Sequence, residues 1–193
     1  DHFKIDSERE ALFVLAQEYV RGKNLKDLAK SGKRFTIAEI ESILRELLEI
    51  LQYIHHLNPP VIHRDVNPNN IILDENGKIY LVDFGAVGKL SSSTLAASGT
   101  FVGTIGYMPQ EQLYGKSLPA SDIYGAGMSI IFLLTGKNPS DFEFDGNKLN
   151  YHDFVNIPDR LKILLDKMTV PDYKTRLSEA GKGLDYLKGK ENV

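Results

Sequence analysis

The chain has 193 residues with a formal net charge of −3, and it contains no cysteine. One hydrophobic core is sufficient at this length, so a single domain is expected. The slightly acidic balance argues against a dedicated nucleic-acid binder, which is usually strongly basic, and the lack of cysteine excludes disulfides and thiolate–zinc sites.

The sequence carries no signal for insertion into a membrane. Its longest apolar stretch, Ile123 to Leu134, includes Gly125 and Gly127 and is shorter than the ~20 residues that cross a bilayer. We therefore predict a buried core helix there. Nothing near Asp1 resembles a signal peptide, and a cysteine-free chain suits a reducing compartment, so we expect a cytoplasmic protein with no membrane partner in this segment.

The first elements are predicted to be strands. Residues 11–20 are apolar and β-prone and end at a turn formed by Arg21 and Gly22. Phe3 to Ile5 can pair with them as a hairpin, and Leu25 to Ala29 is predicted to form a short helix.

A long buried helix is predicted to begin after Thr36. Thr36 and Glu39 have capping-box spacing, in which each side chain bonds the backbone amide of the other residue. Apolar residues then recur at helical spacing, namely Ile37, Ile40, Ile43, Leu44, Leu47, Leu48, Leu51 and Ile54. The helix should end before Pro59, because proline lacks the amide donor that a helix interior needs.

Two short strands, Ile71–Leu73 and Lys78–Val82, are predicted around the turn-forming residues 74–77. Residues 84–106 are rich in Gly, Ser, Thr and Ala without a helical period, which indicates a long functional loop. Further helices are predicted at Ser121–Leu134, at about Asp159–Met168 and at about Ser178–Leu187.

Two motifs between these elements point to chemistry. His63, Arg64 and Asp65 are followed by Asn70, and Asp83-Phe84-Gly85 comes thirteen residues later, across the predicted strand pair. Each motif alone is an ordinary turn or loop. Together, at this separation, they resemble the H-R-D-x-x-x-x-N catalytic loop and the D-F-G motif of protein kinases.

The resemblance implies a phosphoryl-transfer site that uses ATP and Mg²⁺. Asp65 would accept or orient the proton of the attacking hydroxyl, Thr104 would position Asp65, and Asn67 and Asn70 would complete the catalytic set. Asp83 and Asn70 would be the metal ligands, because carboxylate and amide oxygens suit Mg²⁺.

The resemblance continues through the second half of the chain. Residues 103–111 resemble the end of a kinase activation segment, with Pro-Gln-Glu where many members have Ala-Pro-Glu. Asp122, at the start of the central helix, would accept hydrogen bonds from the catalytic-loop backbone. Arg176 would form a structural ion pair with Glu111.

The nucleotide-binding residues implied by the resemblance lie near the hinge, residues 17–20. The backbone carbonyl of Glu18 and the backbone groups of Val20 would bond the adenine edge. Ile72 would form the floor under the adenine ring, a role that is compatible with plain core packing, and Asn24 falls where many kinases contact ribose.

The resemblance covers essentially the whole chain and is closest to cyanobacterial-type bacterial serine/threonine kinases. It implies a mainly α fold, a kinase C-terminal lobe that is helical with short β-hairpins, plus a remnant hairpin of the N-terminal lobe. Residues 1–20 would be the end of that lobe and the hinge, and residues 21–193 the C-terminal lobe, with the catalytic loop at 63–70 and the activation segment at 83–111. The Gly-rich phosphate loop and the strand lysine are not in this sequence, so we expect them upstream and expect the isolated segment to be inactive.

One departure from the family keeps a second interpretation open. Serine/threonine kinases normally carry lysine where this chain has Asn67, and asparagine offers a neutral hydrogen bond in place of a charge-assisted one. The favoured function is transfer of the ATP γ-phosphoryl group to a Ser or Thr hydroxyl of a protein substrate. The alternatives are a pseudokinase or ATP-binding scaffold module, which Asn67 favours, and a small-molecule phosphotransferase, which Arg64 and the closing segment disfavour.

Overall fold

The structure is a computed structural model that describes residues 2–7, 10–15, 18–84, 104 and 106–190, the first two ranges as backbone strands. Of the loop predicted over 84–106, it therefore describes Phe84, Thr104 and Gly106. The remaining residues of that loop, including Gly85 and Gly103, lie outside the described part, so the loop stays a prediction.

The amino-terminal residues form an antiparallel hairpin, as predicted. Strand β1 (His2–Ser7) pairs with β2 (Glu10–Leu15), with His2 opposite Leu15 and Ser7 opposite Glu10. The predicted strand over 11–20 was too long at its carboxyl end, because residues 18–20 belong to no strand.

A three-stranded antiparallel sheet lies beside the predicted site. Its order is β3 (Lys23–Asn24), β4 (Ile71–Leu73) and β5 (Ile79–Leu81), so the middle strand follows the catalytic loop directly. Asn24 lies opposite Ile72, and Ile72 lies opposite Tyr80. The sheet thus ties residues 23–24 to the segment that follows Asn70.

Helix α1 (Leu25–Lys30) follows β3 at once, and α2 (Ile37–His55) carries the capping box that the sequence predicted. Glu39 accepts from the Thr36 backbone amide at 2.8 Å, and Thr36 Oγ1 accepts from the Glu39 amide at 3.2 Å. The hydrogen bond from Lys33 is the main cause that lowers the pKa of Glu39 to about 2. The first turn of α2 is therefore fixed by local polar contacts before packing is considered.

The core is built around the central helix. After the short helix α3 (Gln110–Leu113), α4 (Pro119–Thr135) is buried from Ala120 to Leu133 and ends at Gly136, whose φ of 69° closes the helix in the left-handed conformation. Helix α2 packs against α4 with its apolar face, and α4, which is buried over almost its whole length, forms the centre of the core.

The remaining elements complete this helical layer. Helix α5 (Asp159–Met168) packs on α4, and α6 (Ala180–Leu187) packs on α2. Short 3₁₀ turns at Pro139–Asp141 and His152–Phe154 and a small hairpin of β6 (Phe144–Asp145) and β7 (Lys148–Leu149) lie between α4 and α5. The predicted helices are confirmed with ends shifted by up to two residues. None of the helices described is both long and apolar enough to pass through a lipid bilayer.

A buried ion pair connects α3 to the segment before α6. Arg176 donates to both carboxylate oxygens of Glu111, at 2.6 and 3.1 Å, and also to the backbone carbonyls of Ala120, Val170 and Pro171. The two side chains are 0% and 4% exposed. The predicted pair is confirmed, and its remaining hydrogen bonds are all made, as a desolvated pair requires.

We expect Arg176→Met to lower the free energy of unfolding of this domain by about 3–5 kcal/mol, because Glu111 would stay buried without its counter-charge. The matched control is Lys182→Met, which breaks the exposed pair with Glu179 and should change that free energy by less than about 1 kcal/mol. Urea unfolding of both variants checks the expectation, and equal losses would contradict it.

Candidate active site

The predicted catalytic loop, residues 63–70, is anchored to the core by one buried carboxylate. Asp122 of α4 accepts from the backbone amides of His63 and Arg64, each at 2.8 Å, and from His55 Nε2 at 2.8 Å. Asp122 is 1% exposed, so its hydrogen bonds replace the water it has lost. The predicted contact between Asp122 and the catalytic-loop backbone is confirmed.

Helix α4 also approaches the loop with a residue that has no side chain. A Cβ added at Gly125 would lie 2.5 Å from the carbonyl oxygen of Val66, closer than any real contact. The backbone of the loop therefore contacts the backbone of α4 directly, which fixes the distance between the loop and the helix.

Two features determine the backbone around Asp65. Arg64 has a φ of 72°, a left-handed conformation that costs a non-glycine residue on the order of 1–3 kcal/mol and persists only where its surroundings hold it. Burial lowers the pKa of His63, which favours the neutral imidazole. With Nε2 donating to the Val82 carbonyl at 3.0 Å, Nδ1 is free to accept from the Asp65 amide at 3.3 Å.

Three neutral donors converge on the Asp65 carboxylate. Asn67 Nδ2 donates to Oδ1 at 2.8 Å, Asn70 Nδ2 donates to Oδ2 at 2.9 Å, and Thr104 Oγ1 lies 3.4 Å from Oδ1. Asn67 and Asn70 also donate to the Asp65 backbone carbonyl, at 3.1 and 2.9 Å. The structure thus brings together the four residues that the sequence predicted as catalytic.

The orientation of Asn67 follows from its neighbours. Its amide oxygen accepts from the backbone amide and from Nδ2 of Asn69, at 2.9 and 2.8 Å, which leaves only its nitrogen to face Asp65. Asn67 is 1% exposed. The asparagine that replaces the usual lysine therefore belongs to the hydrogen-bond network of the loop, and its nitrogen donates to Asp65.

The predicted metal ligands flank the hairpin: Asn70 comes just before β4 and Asp83 comes two residues after β5. The Asn70 carbonyl accepts from the Val82 amide at 2.9 Å, which places Asp83 next to Asn70 across the hairpin. Both hydrogen-bond donors of the Asn70 side chain go to Asp65, so its amide oxygen is the atom that can ligate a cation. Asp83 is exposed and has a φ of 69°.

This donor set fits Mg²⁺. Within the described ranges, no group of three or more His, Asp or Glu side chains forms a preformed cation cage. Mg²⁺ does not need one, because it is typically bound by one or two carboxylates while phosphate oxygens and water complete the shell. The Asp83 carboxylate and the Asn70 amide oxygen are such a partial set.

The predicted nucleotide residues line the hinge and the small sheet. Glu18 is exposed, Val20 is half-buried, and Ile72 is half-buried in the middle strand. The side chain of Asn24 caps α1, with Oδ1 accepting from the Asp27 amide at 2.8 Å and Nδ2 donating to the Asp27 carboxylate. A ribose contact by Asn24 would compete with this cap and stays a prediction, as do the adenine contacts.

Two residues that support the predicted catalytic loop, His55 through Asp122 and Gln112 by direct contact, were not identified from the sequence. His55, the last residue of α2, bonds Asp122, and Gln112 of α3 donates through Nε2 to the backbone carbonyl of Arg64. Glutamine and histidine are common in helices, and their partners lie 67 and 48 residues away, so no local pattern marked them.

A family model described as "Protein kinase domain" matches residues 4–185 of the chain. Serine/threonine-protein kinase B of Synechocystis sp. is 35% identical over 199 residues, covering 97% of this chain and 34% of the relative. Serine/threonine-protein kinase PknA of Nostoc sp. is 34% identical over 185 residues, covering 91% of this chain and 32% of the relative. Serine/threonine-protein kinase PrkC of Bacillus subtilis is 31% identical over 137 residues, 70% of this chain and 21% of the relative.

The chain thus spans about a third of the length of the cyanobacterial relatives it matches. The match to the family model contains both sequence motifs and every residue that contacts the Asp65 carboxylate in the described part.

Proposed function

The chain belongs to the protein kinase domain family, and we propose that it is the part of a serine/threonine protein kinase that moves the γ-phosphoryl group of ATP to a Ser or Thr hydroxyl of a protein. The observation that carries the proposal is the convergence of Asn67, Asn70 and Thr104 on the Asp65 carboxylate. Such a fixed carboxylate is suited to orienting a hydroxyl for in-line transfer, where positioning supplies most of the catalysis.

In the proposed reaction the hydroxyl oxygen bonds to the γ-phosphorus while the bond from phosphorus to the bridging oxygen of ADP breaks. Asp65 takes the hydroxyl proton and releases it to solvent. Its hydrogen bonds with Asn67 and Thr104 fix the direction of the carboxylate. Removing one such positioning contact typically lowers the rate rather than substrate binding.

Asp83 and Asn70 would hold Mg²⁺, which when bound supplies positive charge that the phosphate oxygens need. Backbone groups of Glu18 and Val20 would bond the adenine edge, with Ile72 beneath the ring. The pairing of β3 with β4 supports this assignment, because residues 23–24, which follow the proposed hinge, pair with residues 72–73, which follow Asn70.

The proposal assigns residues 1–20 to the end of the N-terminal lobe and the hinge, and residues 21–193 to the C-terminal lobe. One observation supports it: the hairpin β1–β2 comes before residues 18–20, where the hinge is proposed. A Gly-rich phosphate loop and a strand lysine belong to the N-terminal lobe in this family. Experiments on activity therefore require the full-length protein.

Asp83→Asn tests the metal assignment. Asparagine tolerates the left-handed backbone of Asp83, so the change removes the charge without adding strain. We expect phosphate transfer to a generic protein substrate to fall by roughly 10²-fold or more, because the cation loses its carboxylate ligand. The same change at Asp145, exposed on β6, should leave the rate unchanged. A near-parent rate for Asp83→Asn over a Mg²⁺ titration would refute the assignment.

Asn67→Lys distinguishes an active kinase from a pseudokinase that has lost a catalytic charge. Lysine cannot accept the two hydrogen bonds from Asn69, and the loss of one hydrogen bond typically costs about 0.5–1.5 kcal/mol. We therefore expect turnover to stay level or fall by up to roughly tenfold. The control is Asn76→Lys, which adds the same charge in the exposed β4–β5 turn.

Steady-state kinetics of both lysine variants decide the matter. A rise in turnover with Asn67→Lys alone would show that the asparagine is a lost charge. A parent without detectable transfer that the lysine rescues would support the pseudokinase interpretation instead.

A further inference from the structure

Gln112 contacts the catalytic loop from a direction that the proposed mechanism does not use. It lies on α3, is 7% exposed, and donates through Nε2 to the backbone carbonyl of Arg64. Gln110, on the same short helix, is exposed. Two glutamines on one short helix therefore differ in burial and in contact with the loop: Gln112 is buried against it and Gln110 faces outward.

Gln112 bonds Arg64, the loop residue with the left-handed backbone conformation. The peptide group before the Arg64 Cα is held by Asp122, which accepts from the Arg64 amide at 2.8 Å. The peptide group after it is held at both atoms: Gln112 binds the Arg64 carbonyl, and His63 Nδ1 accepts from the Asp65 amide at 3.3 Å. Two fixed peptide planes define φ and ψ of Arg64, and so maintain its left-handed φ of 72°.

Gln112 is itself rigidly placed. The preceding residue, Glu111, is held by Arg176 at 2.6 Å and accepts from Ser121 Oγ at 2.9 Å. A side chain supported by a buried ion pair can transmit that rigidity to the carbonyl it bonds.

We propose that Gln112 is a positioning residue for phosphoryl transfer: it locks the peptide between Arg64 and Asp65 and so fixes the direction of the Asp65 side chain. The inference deepens the proposed function and rests on the role given there to Asp65. Without the donor, Arg64 is free to leave its left-handed conformation, and the Asp65 carboxylate turns away from the position that Asn67 and Thr104 share. The hinge residues that would bind adenine are on a different part of the chain, so nucleotide affinity should change little.

Three variants of the full-length protein test this. Gln112→Glu keeps the shape but presents carboxylate oxygen to a carbonyl, Gln112→Leu removes the donor, and Gln112→Asn keeps an amide that is one methylene too short to reach. The last provides a mild change should either of the others fold poorly. Gln110→Glu and Gln110→Leu are the matched controls on the exposed face of α3.

Two readouts are needed. At temperatures well below unfolding, kcat of the Gln112 variants should fall roughly tenfold or more while KM for ATP stays within about twofold, because a displaced catalytic group lowers rate and not binding. Amide hydrogen exchange of residues 63–66 should accelerate about fivefold or more in the same variants, since the loop opens more often. Both quantities should match the parent in the Gln110 variants.

Unchanged kcat and unchanged exchange at 63–66 in the Gln112 variants would overturn the inference. So would a loss of activity that merely follows the unfolded fraction, with exchange faster throughout the domain. A parent protein that transfers no phosphate would refute the proposed function instead, and the exchange comparison would still decide whether Gln112 holds the loop.

Discussion

The Asp122 carboxylate accepts three hydrogen bonds, from the amides of His63 and Arg64 and from His55, inside the core of the domain. A carboxylate buried to this degree is tolerated only when its oxygens accept hydrogen bonds. If the loop moved away, Asp122 would lose two amide donors, which carries a large desolvation penalty. The strained backbone of Arg64 and the direction of Asp65 follow from this anchor. The core thus stabilises a loop conformation that its own sequence would not adopt.

The first turn of α4 serves a second segment as well. Ser121, next to Asp122, donates to Glu111, which in turn pairs with Arg176. The first turn of α4 therefore holds both the catalytic loop, through Asp122, and the segment that contains Glu111, through Ser121. Helix α3 completes the connection through Gln112 and the Arg64 carbonyl. A disturbance in any of these contacts should reach Asp65 through backbone geometry, without any change in the residues around its carboxylate.

Local signals in the sequence were enough to predict the longer helices, the first hairpin and the pair β4–β5, but not the short elements β3, β6, β7 and α3. The family resemblance carried by the two motifs predicted the cluster around Asp65. The capping box of Thr36 and Glu39 and the apolar period of α2 determine a helix by themselves. The predicted strand over 11–20 was too long because an apolar run in the sequence does not show where the pairing with the neighbouring strand ends. Gln112 and His55 were missed because their contacts are set by tertiary packing between residues far apart in the chain. Asn67 was found, but its role as a neutral donor required the position of Asn69.

The central claim is that this geometry aims the Asp65 carboxylate at a substrate hydroxyl. Single-turnover transfer of labelled phosphate from ATP, by full-length parent and by Asp65→Asn, tests it most directly. The change keeps the size of the side chain, so the fold and ATP binding should persist, while the loss of a general base should lower the transfer rate by roughly 10²–10⁴-fold. A transfer rate for Asp65→Asn within a few-fold of the parent would contradict the account.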